Sequence, residues 1–425
     1  MARVLKWVAG IAGLLVVLLI GTVVALHRWT GTEDFRGRLA GEATAALGVP
    51  VRLGGLSVDL WPLPAVAASD VQVGTQPPLA LGRIEARPLW APMLRGRLEI
   101  ATLVVREAVL PQQGIAALGA VMQKRGRKPA AGGTPAPAGP SSATALWPRR
   151  VLLDRVTWVD AKGGRITVDA QARLGDDGLL DDAKLKVVQG RFAGAQGELR
   201  RDAGGWPLKL SIGGGTIAGV LRLVPTAAGA QLLTGDLQTK DVEISALTAP
   251  SRTLSGRLQA QTQLRAEFRE PGQIGEVLQS QTRFTVADAV VHGLDLARAV
   301  QTVGMSRGGE TRLDTLAGQL ATRGSTAQLS NLVASSGALT ATGQVALAAD
   351  RGLSGRVTVD LATVKGALGV PLAVGGTLDA PSVTLSRGAL IGAAIGTAVA
   401  PGVGTGAGAR LGDQLGDKLK GLFGR

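Results

Sequence analysis

Two histidines, His27 and His292, are the only imidazoles in this 425-residue chain. A Ser-His-Asp relay would have to use His292, yet no G-x-S-x-G turn is present to offer a nucleophile. Its surroundings read instead as a strand residue at a turn. Cysteine is absent, which excludes a thiolate nucleophile, a thiolate metal site and a disulfide framework. Four carboxylates crowd into GDDGLLDD (Asp176, Asp177, Asp181 and Asp182). They lack the alternating oxygen ligands of a calcium loop and read as a solvated turn. Acidic residues scattered on wet strand faces explain the remaining carboxylates more simply than paired glycosidase acids do. Gly213, Gly214 and Gly215 lack the strand–GxxxxGK–helix setting of a phosphate loop. These residues predict no enzyme, no metal and no cofactor.

The formal charge of +14 is spread along the chain. Such a balance suits anionic lipid headgroups, nucleic acid or a basic solvated surface. Seven Trp, five Phe and no Tyr serve the whole chain. Basic residues are not interleaved with the aromatics that stack on bases, so nucleic acid is not an expected partner. Any interior must be built from Leu, Val, Ile and Ala.

Residues 8–26, VAGIAGLLVVLLIGTVVAL, are 19 consecutive uncharged positions. At about 1.5 Å rise per residue they cross a hydrocarbon core of roughly 30 Å. Val8, Leu14, Leu15, Leu18, Leu19 and Leu26 supply the lipid-facing bulk of this predicted anchor, residues 1–27. Cleavage as a signal peptide competes with retention, although the apolar stretch exceeds the usual 7–15 residues. Either way the rest of the chain is exported. Thr32 then caps a predicted helix with Glu33 and Asp34 in its first turn and Phe35, Leu39 and Leu47 on its apolar stripe. Gly48 and Pro50 end it. A second helix is expected over 114–124 and a short one over 294–303. Residues 125–148, rich in Pro, Gly, Ala and Ser, read as a flexible linker or loop.

From 149 to 387 the signal is alternation of period two. In RITVDAQARL, Ile166, Val168, Ala170, Ala172 and Leu174 share a face opposite Arg165, Thr167, Asp169, Gln171 and Arg173. LSGRLQAQTQLRAEF places Leu254, Leu258, Ala260, Leu264, Ala266 and Phe268 together. Leu339, Val345 and Leu347 repeat the pattern, as do Leu353, Val357, Val359 and Leu361. These are antiparallel strands with one wet face. With few helices to cover it, the sheet must close as a sandwich or barrel, or bend around a groove. Many of the inward residues are Ala and Gly, which do not readily fill a dense core.

Several short motifs resemble the AsmA family in order and spacing. Residues 35–74, FRGRLAGEATAALGVPVRLGGLSVDLWPLPAVAASDVQVG, resemble its opening, and 79–111 its next element. ADAVVHGLDLARAV (287–300) resembles its C-terminal helix entry, and VPLAVGGTLDAPSV (370–383) its closing strand pair. That resemblance implies a bacterial inner-membrane anchor, a periplasmic body and kinship to chorein-type bridge-like lipid transfer proteins. It implies a U-shaped apolar trough, phospholipid cargo and a role in outer-membrane assembly. The expected fold is therefore mainly β: a long curled antiparallel sheet with a few short helices. The expected regions are the anchor (1–27), a helix-plus-strand domain (28–124), the linker (125–148), the β-sheet groove (149–387) and a glycine-zipper tail (388–425). The apolar strand faces named above would line the groove. About 20 to 25 strands at roughly 4.8 Å spacing would make a trough about 100–120 Å long. The rival expectation is an anchored scaffold or assembly factor for outer-membrane proteins, without lipid cargo.

In the tail, Gly388, Gly392, Gly396, Gly404, Gly408, Gly412 and Gly416 recur every fourth residue, with Ala400 filling the gap. Pro401 divides the run into two short predicted helices with smooth stripes that allow close helix contact. Shallow docking on a membrane at the far end of the trough, plugging of the trough, and a disordered or oligomerising tail are the alternatives.

Overall fold

The computed structural model describes residues 33–59, 65–89, 99–126, 148–227, 229–269, 273–301, 308–337, 339–361 and 369–386. The anchor with Val8, Leu14, Leu15, Leu18, Leu19 and Leu26, most of the linker, the cap Thr32 and the whole glycine-spaced tail lie outside these residues. Among the described residues no helix is long and apolar enough to cross a membrane.

Among the described residues, twenty strands form one mostly antiparallel sheet that is not closed. The chain divides into two compact units after Arg200. In the first, helix α1 (Glu33–Leu47) leads into β1 (Val51–Arg52) and β2 (Gly55–Asp59), which share the same edge of β3 (Ala65–Val73). Gly48, at φ 77°, ends α1 as its position predicted, and its N–H donates to the Thr44 carbonyl at 2.8 Å. Strands β4 (Leu79–Pro88) and β5 (Ile100–Pro111) continue the meander, then α2 (Gln112–Gly126) follows. Val49, Val73 and Leu79 form a core beneath Ile115, Leu118 and Val121 of α2.

The next strand departs from a simple meander: β6 (Arg150–Val159) pairs with β5 in parallel. A parallel neighbour needs a long crossover, and α2 with the segment after it supplies one. Strands β7 (Arg165–Leu174), β8 (Leu180–Gln189) and β9 (Gln196–Arg200) then run antiparallel. β7 matches the predicted strand residue for residue. Its wet face is partly misassigned, because Thr167 is buried with its Oγ1 2.9 Å from Thr157 Oγ1.

The second unit is a continuous antiparallel meander from β10 (Trp206–Ile212) and β11 (Gly215–Pro225) to β12 (Gln231–Glu243). It continues with β13 (Leu254–Phe268), β14 (Gln279–His292), β15 (Glu310–Arg323), β16 (Thr326–Ser335), β17 (Leu339–Leu347), β18 (Leu353–Leu361), β19 (Val370–Thr377) and β20 (Ala380–Leu385). Short helices α3 (Ile244–Thr248), α4 (Ile274–Val277) and α5 (Leu296–Gln301) interrupt it. Sequence reasoning located α5, capped by Asp295 through a 2.9 Å bond from the Arg298 N–H, and missed α3 and α4.

A row of left-handed residues bends each unit. Asp70, Glu107 and Arg155 have φ near 51° on β3, β5 and β6. Asp241, Asp288 and Asn331 repeat this on β12, β14 and β16, where the pairing register shifts at or beside them or skips a residue. One extra or left-handed residue raises the local twist and re-aims the next side chain. The residues that follow five of these six, Val71, Ala108, Val156, Val242 and Ala289, are all buried. Gly343 faces Val357, and a Cβ there would lie 2.3 Å from the Arg356 carbonyl oxygen. Only glycine lets β17 and β18 approach so closely.

The bend has a direct measure. β13 and β19 are six strands apart, about 29 Å in a flat sheet. Yet Thr253 Oγ1, beside the start of β13, donates to the Leu378 carbonyl after β19 at 2.6 Å. Leu258, Val286, Leu339, Val359, Leu372 and Val383 consequently meet in one core with α5. At this part of the second unit the sheet is curled around a filled apolar layer.

Candidate functional site

The register of the second unit aligns inward side chains into rows. One runs Trp206, Leu221, Gly235, Leu264, Ser280, Thr322, Ala327, Leu347 and Leu353, each paired with the next, across β10 to β18. Except for buried Gly235, all are half-buried. The adjacent row runs Leu208, Gly219, Leu237, Thr262, Thr282, Leu320, Leu329, Val345 and Gly355. Nine strands at about 4.8 Å give a strip about 40 Å across, with large apolar side chains that remain partly open to solvent. That is the candidate site.

The predicted groove residues divide between this strip and the core. Leu264, Val345 and Leu347 belong to the open strip. Leu258, Leu339 and Val359 are buried in the filled layer, and Leu254, Val357 and Leu361 pack against it. Buried Leu258, Leu339 and Val359 therefore hold the curl and do not line an open groove in this arrangement, while Leu254, Val357 and Leu361 stay half-buried at its margin. Phe268 is buried at the end of β13. In the first unit, Ile166, Val168 and Leu174 share one half-buried face of β7 as expected, and Val168 packs against Val156 and Val105. The same face carries two large side chains left open, Trp158 at 38% and Leu185 at 40% exposure. Sequence reading did not single them out; their signal was alternation with Val156 and Val187.

Polar groups interrupt both rows of the second unit at the same place. On β13, β14 and β15 the inward positions are Thr262, Thr282, Ser280 and Thr322. Thr262 Oγ1 lies 2.9 Å from Thr282 Oγ1, and Ser280 Oγ lies 2.7 Å from Thr322 Oγ1. A concavity of about 840 Å³ lies against the same strands, bordered by Thr262 and Thr282 as well as by Gln261, Gln281, Arg283 and Gln319. A second hollow of about 1080 Å³ lies beside the Thr253–Leu378 contact, bordered by Pro250, His292, Asp379 and Ser382.

His292 ends β14, as its turn position predicted. Its Nε2 lies 2.9 Å from Ser255 Oγ, while its Nδ1 is 3.8 Å from Glu310 Oε2. Glu310 instead accepts two bonds from Arg312, at 2.8 and 3.0 Å. A carboxylate beyond hydrogen-bond reach does not orient the imidazole, so the three groups do not form a relay. The acidic cluster spans a turn and the start of β8: Asp177, in the turn, accepts the Leu179 N–H at 3.0 Å, and Asp182, on the strand, accepts from Arg173. That hydrogen bond, with the attraction of the Asp182 charge, raises the Arg173 pKa above its ordinary value. Among the described residues no group of three or more acidic or histidine side chains is arranged to hold a metal.

No protein-family model matches the chain, and no curated protein or solved structure matches it.

Proposed function

We propose that this chain is a membrane-anchored, non-catalytic protein whose sheet shields phospholipid acyl chains from water during transfer between bacterial membranes, in support of outer-membrane assembly. One observation carries the reading: half-exposed side chains, mostly apolar and broken by hydroxyls on β13–β15, keep one register across nine consecutive strands. Each exposed methylene of an acyl chain costs about 0.8 kcal/mol, and a largely apolar strip lowers that barrier without any binding pocket. The finer form of the proposal is a U-shaped trough with headgroups at its open seam. Its anchor would be the predicted inner-membrane segment 1–27, with the body in the periplasm.

The full chain purified from bacteria is expected to carry diacyl phospholipid that survives exchange into a detergent lacking phosphate, as read by extraction and mass spectrometry. A folded, lipid-free chain would overturn the proposal and favour the anchored scaffold. The filled layer around Leu258 and Val359 is the observation that favours that second reading.

The tail, 388–425, is proposed to contact the far membrane. Its deletion should lower bridging between two populations of anionic liposomes, monitored by cosedimentation. Unchanged bridging would count against that role.

A further inference from the structure

The hydroxyl patch on β13–β15 has more donor protons than its own oxygens use. A hydroxyl has one donor proton and two acceptor lone pairs. In each pair, Thr262 with Thr282 and Ser280 with Thr322, one proton bridges the two oxygens and one is left over. Among the described residues these four hydroxyls make no other hydrogen bond. With the strip open, water takes the two spare protons. Once acyl chains cover it, water is displaced and each spare proton is stranded unless the occupant supplies an oxygen.

The flanking inward positions decide what kind of oxygen. Leu237, Leu264, Leu320 and Ala327 surround the patch in register, and none carries a charge. A phosphate placed here would lose hydration with no cation among these flanking inward residues to replace it. A neutral carbonyl loses far less and accepts the spare protons. We infer that the Thr262–Thr282 and Ser280–Thr322 pairs form a subsite for the ester carbonyls of an acylglycerol lipid, holding the glycerol region on β13–β15 while the chains lie along the apolar rows on either side. This rests on the lipid-shielding reading and adds a chemical preference to it: ester-linked over ether-linked chains.

The test is competition on the full chain between a diester phosphatidylglycerol and its diether analogue of equal chain length, with bound lipid quantified by native mass spectrometry. The wild type should favour the diester by about a hundredfold, about tenfold for each of the two stranded donors. Thr262→Val with Thr282→Val, combined with Ser280→Ala and Thr322→Val, should bring the ratio to about one while diether binding persists. Thr262→Ser with Thr282→Ser keeps the hydroxyls and should keep the preference, which guards against a folding defect in the quadruple variant. Equal binding of both lipids by the wild type overturns the subsite and leaves the conduit standing. Retained preference in the quadruple variant also overturns it. Binding of neither lipid removes the conduit itself.

Discussion

Aspartate at Leu264 and Leu347 should strip the full chain of co-purifying phospholipid while leaving it folded. Both residues sit in the same register row, Leu264 opposite Ser280 on β14 and Leu347 opposite Leu353 on β18. Both are half-buried, so in the empty protein a carboxylate at either position keeps much of its hydration. When an acyl chain covers the row, that hydration is lost with no cation inward to replace it. The penalty is several kcal/mol per group, and roughly a hundredfold or greater loss of bound lipid follows. The melting temperature should fall by only a few degrees, since exposed and half-exposed sites cost little. Gln263→Asp, on the opposite face of the same strand, is the matched control and should leave lipid unchanged. Lipid retained by the double variant would show that cargo does not use this strip.

The choice of Leu264 over Leu258 illustrates what the sequence could and could not specify. Alternation placed both on one face of β13, and the strand bounds 254–268 were legible to the residue. Period two gives a face, but whether that face is covered depends on how far the sheet curls. The curl comes with single residues that alternation does not mark: Asp241, Asp288 and Asn331 in left-handed conformation. In hindsight an acidic or amide residue followed by a small apolar one, as in Asp70–Val71 and Asp288–Ala289, was a usable bulge signal, because Asp and Asn tolerate positive φ. The parallel pairing of β5 and β6 was hidden by the linker between them. Helices α3 and α4 have five and four residues, too few for a 3.6-residue period to appear. The hydroxyl pairs needed register as well as type: Thr262 and Thr282 are twenty residues apart in sequence and meet only because β13 and β14 pair about that point.

Leu372→Ala should lower the melting temperature by about 5–15 °C. The side chain is fully buried, at 0% exposure, and it joins residues of β13, β14, β17, β18 and β20 in one cluster. Truncating a buried leucine costs about 2–5 kcal/mol, through lost transfer energy and the cavity left behind. For a cooperative unit of roughly 200 residues each kcal/mol is worth about 2–4 °C. The same variant tests how the filled layer relates to the strip. β19 is held to the start of β13 through Thr253 and Leu378, so the cluster fixes the curvature of the strands that carry the rows. If curvature is what presents Leu264, Val345 and Leu347 to a chain, lipid bound per folded molecule should fall together with stability, even well below the new melting point. If lipid is retained at low temperature while the melting point drops, the layer only fastens the sheet, and strand register alone suffices to offer an apolar path. An unchanged melting point would mean that the β13–β20 cluster is not the unit's core.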